Sequence, residues 1–177
     1  MEIYVRAHAI NYVRAHASGY DRGVPNRSHP AIGAWAALLQ VHAKLVPELD
    51  AELRRATGLP LSWYDVLLEL DGPQRLRMSD LGERVVLSRT RVSRLVTELE
   101  AQGLVRRGSN PDDGRSAFVS ITEDGRRRFR EAVPHYSTGI ERRFGGRLDT
   151  GELDAVATAL RKVLSPTDLP TPTTDTP

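Results

Sequence analysis

Residues 78–122 read MSDLGERVVLSRTRVSRLVTELEAQGLVRRGSNPDDGRSAFVSIT, and the spacing within them predicts helix, turn, helix, strand, turn, strand. The second helix is the most informative. Ser88 precedes it as an N-cap, since its hydroxyl can accept from a first-turn N–H that has no intrahelical partner. Val92, Leu95, Val96 and Leu99 then recur at i, i+3, i+4 and i+7 and make one apolar stripe. At about 100° per residue, Thr90, Arg94 and Thr97 point away from that stripe, with Arg91 and Ser93 beside them. Gly103 follows as a left-handed C-terminal cap.

Charge along this helix is divided. Arg89, Arg91 and Arg94 lie in its first half, Glu98 and Glu100 in its second. A helix laid along a phosphate backbone would avoid those acids. A helix entering a major groove by its N-terminal half tolerates them. Arginine suits base reading, because its planar fork can grip guanine O6 and N7 together. The plainer reading is an amphipathic helix with a solvated basic face.

The following segment favours the DNA reading. Residues 104–107 and 117–121 are short β-prone runs around Asn110-Pro111-Asp112-Asp113-Gly114, whose residue types form turns. This is a hairpin, or wing, with Arg115 just past its tip, where a guanidinium can enter a narrow minor groove.

These residues resemble the winged helix-turn-helix of the MarR family of bacterial regulators. The resemblance rests on Ser-x-x-x-x-Ser-Arg-Leu-Val-x-x-Leu-x-x-x-Gly-Leu-Val-x-Arg from Ser88 to Arg107, and on the wing signature Asp113, Arg115 and Ile121-Thr122, with Ile where the family has Leu. It spans roughly residues 30–164. It implies a mainly α fold with a small β-hairpin wing (α+β), a winged helix-turn-helix flanked by N- and C-terminal dimerisation helices. It further implies a cofactor-free homodimeric repressor bound to double-stranded DNA at a pseudo-palindromic operator and released by a small aromatic or phenolic effector. On this reading Ser79, Ser88, Arg89, Thr90, Arg91, Ser93, Arg94 and Arg115 contact DNA. Asp113 supports the wing by pairing with Arg115. Trp35, His42, Trp63 and Tyr64 border the effector crevice, although a core or surface position is the commoner role for each of them.

The remaining chain fits five segments. Residues 1–29 are polar, contain the repeat YVRAHA at 4–9 and 12–17, and are expected to be a flexible leader; His8, His16 and His29 lack the partners of a familiar metal site. Residues 30–57 and 123–164 supply the dimerisation helices, and 58–122 the DNA-binding lobe. Within the first helix Ile32, Trp35, Leu39, Val46, Leu49 and Leu53 keep one face, and Pro47 predicts a kink or break near residues 43–46. Ser62 and Ser79 are read as caps of the next two helices, and Leu76-Arg77-Met78 as a short strand. Thr122 opens a helix with the stripe Phe129, Ala132, Val133, Tyr136, Ile140 and Phe144. Asp149 and Glu152 have capping-box spacing before the last helix. Residues 165–177 are rich in Thr, Pro and Asp, which predicts a disordered tail. The terminal helices carry more apolar surface than a lobe of this size can cover, and a second copy is the simplest partner.

Composition narrows the classes. The chain has 177 residues, 40% hydrophobic and 27% charged, with a formal net charge of +2. DNA affinity must therefore come from local placement, and Arg106 and Arg107 join the arginines named above as candidates. Only Lys44 and Lys162 are lysines, and there is no cysteine, which excludes disulfides, thiol nucleophiles and Cys-based zinc sites. No apolar run is long enough to span a membrane, and a cytoplasmic location is expected. No phosphate loop, nucleophile elbow or zinc-protease motif is present, so an enzyme is not expected. The alternative is a winged-helix module that binds protein and no DNA.

Overall fold

Two left-handed glycines and one close glycine contact set the chain's path. The computed structural model describes residues 30–72, 75–85, 87–109 and 117–164. The leader, the wing tip with Asp113 and Arg115, and the tail lie outside the described residues.

Helix α1, Pro30–Thr57, begins with the proline whose missing N–H costs a helix nothing at that position. It runs unbroken through Pro47, so of the kink or break expected near residues 43–46 the break does not occur. Leu49 and Leu53 are buried on the flank that follows, and packing there holds one helix together. Gly58, at φ +73, ends it, and its N–H donates to the Arg54 carbonyl at 2.9 Å.

Helix α2, Leu61–Leu70, is capped by Pro60 and not by Ser62. The reason is geometric. Proline holds the extended backbone a cap requires, and its carbonyl accepts from Trp63 and Tyr64 at 3.0 Å each. The Leu61 N–H is satisfied from a distance, donating to Asp50 Oδ1 of α1 at 2.7 Å. Helix α3, Met78–Arg84, likewise starts earlier than Ser79, with Arg77 as its N-cap. Ser79 lies inside the helix and donates to Asp80 Oδ1 at 2.9 Å. Met78 accordingly belongs to α3, and strand β1 is only Leu76–Arg77.

Helix α4, Arg89–Ala101, is followed by strands β2, Val105–Ser109, and β3, Ala117–Ile121. The sheet has the order β1-β3-β2 and is antiparallel throughout. Register in the hairpin pairs Val105 with Ile121 and Arg107 with Val119. The core joins Leu53, Leu59, Val66, Leu67, Leu70, Leu81, Val92, Val96, Leu99, Val119, Phe129 and Ala132, all nearly inaccessible.

Helix α5, Glu123–Arg143, starts at Thr122, whose Oγ1 accepts from Gly125 N at 3.0 Å. Arg126, Arg127 and Arg128 of this helix have internal partners. Arg126 donates to the Asp71 carbonyl and carboxylate at the end of α2, Arg128 to the Thr57 carbonyl at the end of α1, and Arg127 to Asp124. The chain divides into compact units at Ile140 and Glu141. In the second unit, helix α6, Thr150–Leu164, opens with the expected capping box. Asp149 N donates to Glu152 Oε2 at 2.9 Å, and Glu152 N to Asp149 Oδ1 at 2.8 Å. No residue of α6 is buried, and Val156, Leu160, Val163 and Leu164 are exposed. Trp35, Leu38 and Val41 are exposed on α1. Among the described residues, no helix is long and apolar enough to cross a membrane.

Gly125 is where α5 meets the strand after α4. A Cβ there would lie 2.0 Å from the Leu104 carbonyl oxygen and 2.9 Å from Ile121 Cγ1. Backbone cannot yield as a side chain can. Gly125→Ala should therefore cost about 2–3 kcal/mol, a fall in Tm of roughly 5–10 °C for a chain of this size. A thermal melt indistinguishable from the parent's would refute this tight junction.

Candidate nucleic-acid interface

The interface is built on α4. Ser88 is extended, at φ −63 and ψ 149, and its Oγ accepts from the Arg91 N–H at 3.4 Å. At the far end Gly103 has φ +71, its N–H donates to the Glu100 carbonyl at 2.9 Å, and Leu104 N donates to the Leu99 carbonyl at 2.9 Å. The paired bonds around a left-handed glycine close the helix firmly. Val92, Leu95, Val96 and Leu99 are all buried, which fixes rotation about the helix axis.

That rotation exposes the opposite face. Ser88, Arg89, Thr90, Ser93, Arg94 and Thr97 are exposed, while Arg91 is half-buried. Arg89, Thr90, Ser93, Arg94, Thr97 and Glu98 together line one open concavity. Four of the eight predicted DNA contacts, Arg89, Thr90, Ser93 and Arg94, thus share one surface. Ser79 is exposed at the start of α3, and Arg115 falls outside the described residues.

The other arginines separate. Arg106 is exposed, and its Nε donates to Ser120 Oγ at 3.2 Å. Arg107 turns inward: Nη1 donates to Glu100 Oε2 at 2.9 Å, and Nη2 to the Ser93 carbonyl at 3.0 Å and Thr97 Oγ1 at 2.7 Å. Sequence placed Arg107 among the candidates for DNA; its guanidinium is occupied within the protein. Arg75 lies with its guanidinium carbon 4.4 Å from the Phe118 ring centroid, which ties the segment before β1 to β3.

The four aromatic and histidine positions expected around an effector differ in exposure. Trp35 is 54% exposed, and His42 is also exposed. Trp63 is half-buried and donates from Nε1 to Glu98 Oε2 of α4 at 3.3 Å. Tyr64 is 6% exposed, with ring centroids 5.1 Å from Phe129 and 4.9 Å from Tyr136. Burial, and secondarily Asp65, raises the Tyr64 phenol above its ordinary pKa, and burial does the same at Tyr136. Sequence reasoning missed the Trp63–Glu98 bond, because no local pattern links residues so far apart.

A capped helix-turn-helix with a buried apolar stripe, followed by an antiparallel hairpin, defines a winged helix-turn-helix protein. The MarR family model matches residues 57–116. The HTH-type regulator YxaD of Bacillus subtilis is 31% identical over 108 residues, 55% of this chain and 76% of that protein. Against other curated helix-turn-helix regulators of Bacillus, the chain spans 49% to 60% of the relative's length. Sco3205, a MarR family regulator of Streptomyces coelicolor solved in complex with DNA, is 27% identical with a TM-score of 0.71, over 83% of this chain and 96% of that one. PcaV of the same species, solved with its natural ligand, is 25% identical with a TM-score of 0.62, over 84% and 100%. The chain belongs to the MarR family. The curated relatives it matches are named as transcriptional regulators.

The Ser88 cap is long, so its contribution sits low in the usual range. Ser88→Ala should cost about 0.5–1 kcal/mol of stability, and Ser88→Asn should keep most of it. Urea unfolding of the two variants checks this; equal losses in both would show that the side chain caps nothing.

Proposed function

We propose that the chain acts in the cytoplasm as a homodimeric repressor that binds a pseudo-palindromic operator. One observation carries this reading. The exposed face of α4 brings Arg89, Thr90, Ser93 and Arg94 together on one concavity, while its other face is locked into the core. Each α4 enters a major groove, with half-sites about one helical turn apart. Arg91, Ser88 and Ser79 add base or phosphate contacts, and each wing takes the flanking minor groove through Arg115, preset by Asp113. The DNA-bound state of Sco3205 supports the assignment.

Residues 58–122 form the DNA-binding lobe, between the dimerisation segments 30–57 and 123–164. The exposed Trp35, Leu38 and Val41 on α1, and Val156, Leu160, Val163 and Leu164 on α6, are the apolar surfaces that a second copy would cover. Selection of sites from random duplexes by the purified chain should return inverted repeats. Arg94→Ala should weaken binding to the selected duplex by about 1–3 kcal/mol and relax one position. Arg115→Ala should weaken it through the flanking A·T-rich step. Random duplexes returned without enrichment would end this reading.

A small aromatic or phenolic effector releases the DNA. Trp35, His42 and Trp63 offer accessible surface to it, and Tyr64 offers only a wall. PcaV, solved with its natural ligand, supports an effector-bound state. A panel of phenolic acids should include at least one that displaces a labelled duplex. Retention of the duplex against the entire panel would oppose this ligand class.

A further inference from the structure

Successive residues of a strand face opposite sides of the sheet. On β2 this separates two neighbouring arginines of identical chemistry. Arg106 stays on the exposed side with Ser120, and Arg107 reaches α4. Its contacts fall on Ser93, Thr97 and Glu100, spaced i, i+4 and i+7, so one guanidinium runs along two turns of the helix. Glu100 grips the same residue twice, since its Oε1 also accepts from the Arg107 backbone N–H at 2.9 Å. Thr97 Oγ1, which accepts from Arg107, itself donates to the Ser93 carbonyl at 2.9 Å. Ser93 and Thr97, which both line the concavity, are therefore held at the backbone carbonyl and the hydroxyl by a residue of β2.

We propose that Arg107 is a positioning residue for DNA reading. It does not touch DNA. It fixes the wing strand to the recognition helix and sets the angle at which Ser93 and Arg94 meet bases, and it neutralises Glu100, an acid on the recognition helix. The guanidinium fork is required, because an ammonium cannot serve Glu100, Thr97 and the Ser93 carbonyl in these directions at once. This inference rests on the DNA-binding reading above.

The test uses the full chain, the duplex it selects and a scrambled duplex of equal length, at several salt concentrations. Arg107→Gln should lower affinity for the selected duplex about tenfold, the scale of losing hydrogen bonds to a charged group. Affinity for the scrambled duplex should change little. Arg107→Lys, which keeps the charge, should recover only a small part, and its salt slope should equal the parent's. Glu100→Gln should cause a loss that does not add to that of Arg107→Gln. A phosphate contact predicts the reverse: near-parental binding by Arg107→Lys, and a slope smaller by about one in Arg107→Gln. That result would overturn the proposal. So would a folded Arg107→Gln protein with a lowered Tm and undiminished discrimination, which would mark the clamp as stabilising alone. If the parent cannot tell the two duplexes apart, the DNA-binding reading itself fails and this inference falls with it.

Discussion

The junction between residues 103–104 and 122–125 governs the architecture of the lobe. Within it the end of α4, the start of β2, the end of β3 and the start of α5 meet. The Thr122 N–H donates to the Leu104 carbonyl at 3.0 Å, and its hydroxyl donates to the Gly103 carbonyl at 2.7 Å. The same hydroxyl accepts from Gly125 N. One threonine thus closes the hairpin's open end and caps the next helix. The glycine at 125 lets backbone touch backbone. Wing, recognition helix and long helix hold a fixed relation because these short bonds leave no slack.

Side-chain chemistry then divides the surface of α4. The apolar stripe is consumed by the core. The basic first half is left open, and the acids of the second half are each engaged: Glu98 by Trp63, Glu100 by Arg107. Negative charge near the surface proposed to face DNA would oppose phosphate, and pairing reduces that opposition. Both ion pairs and hydrogen bonds here are partly exposed, so their value lies more in direction than in stability.

Local signals were legible in the sequence. Ser88, Gly103, Thr122 and the Asp149–Glu152 box act within one helical turn, and each stands where its spacing placed it. Periodicity put Thr90, Arg94 and Thr97 on the exposed face with Ser93 beside them, while Arg89 was singled out by the charge order along the helix and Arg91, also placed beside them, is half-buried. What sequence did not reveal acts across distance. Asp50 satisfies Leu61 from another helix, which removes the need for a cap at Ser62. Arg77 and Pro60 precede helices by virtue of extended backbone, not side-chain bonding. Arg107 looked like any basic residue beside a recognition helix, and only the strand's register shows which way it turns.

The basic run on α5 carries a last consequence. Arg126 and Arg128 are committed to the carbonyl ends of two other helices, and Arg127 to Asp124. With a formal net charge of only +2, the molecule projects little attraction beyond about 10 Å, the Debye length at 0.1 M ionic strength. Long-range steering is weak for such a particle. On the proposed reading, its search along a chromosome would depend on frequent short collisions, with productive capture left to locally placed cations such as Arg89 and Arg94.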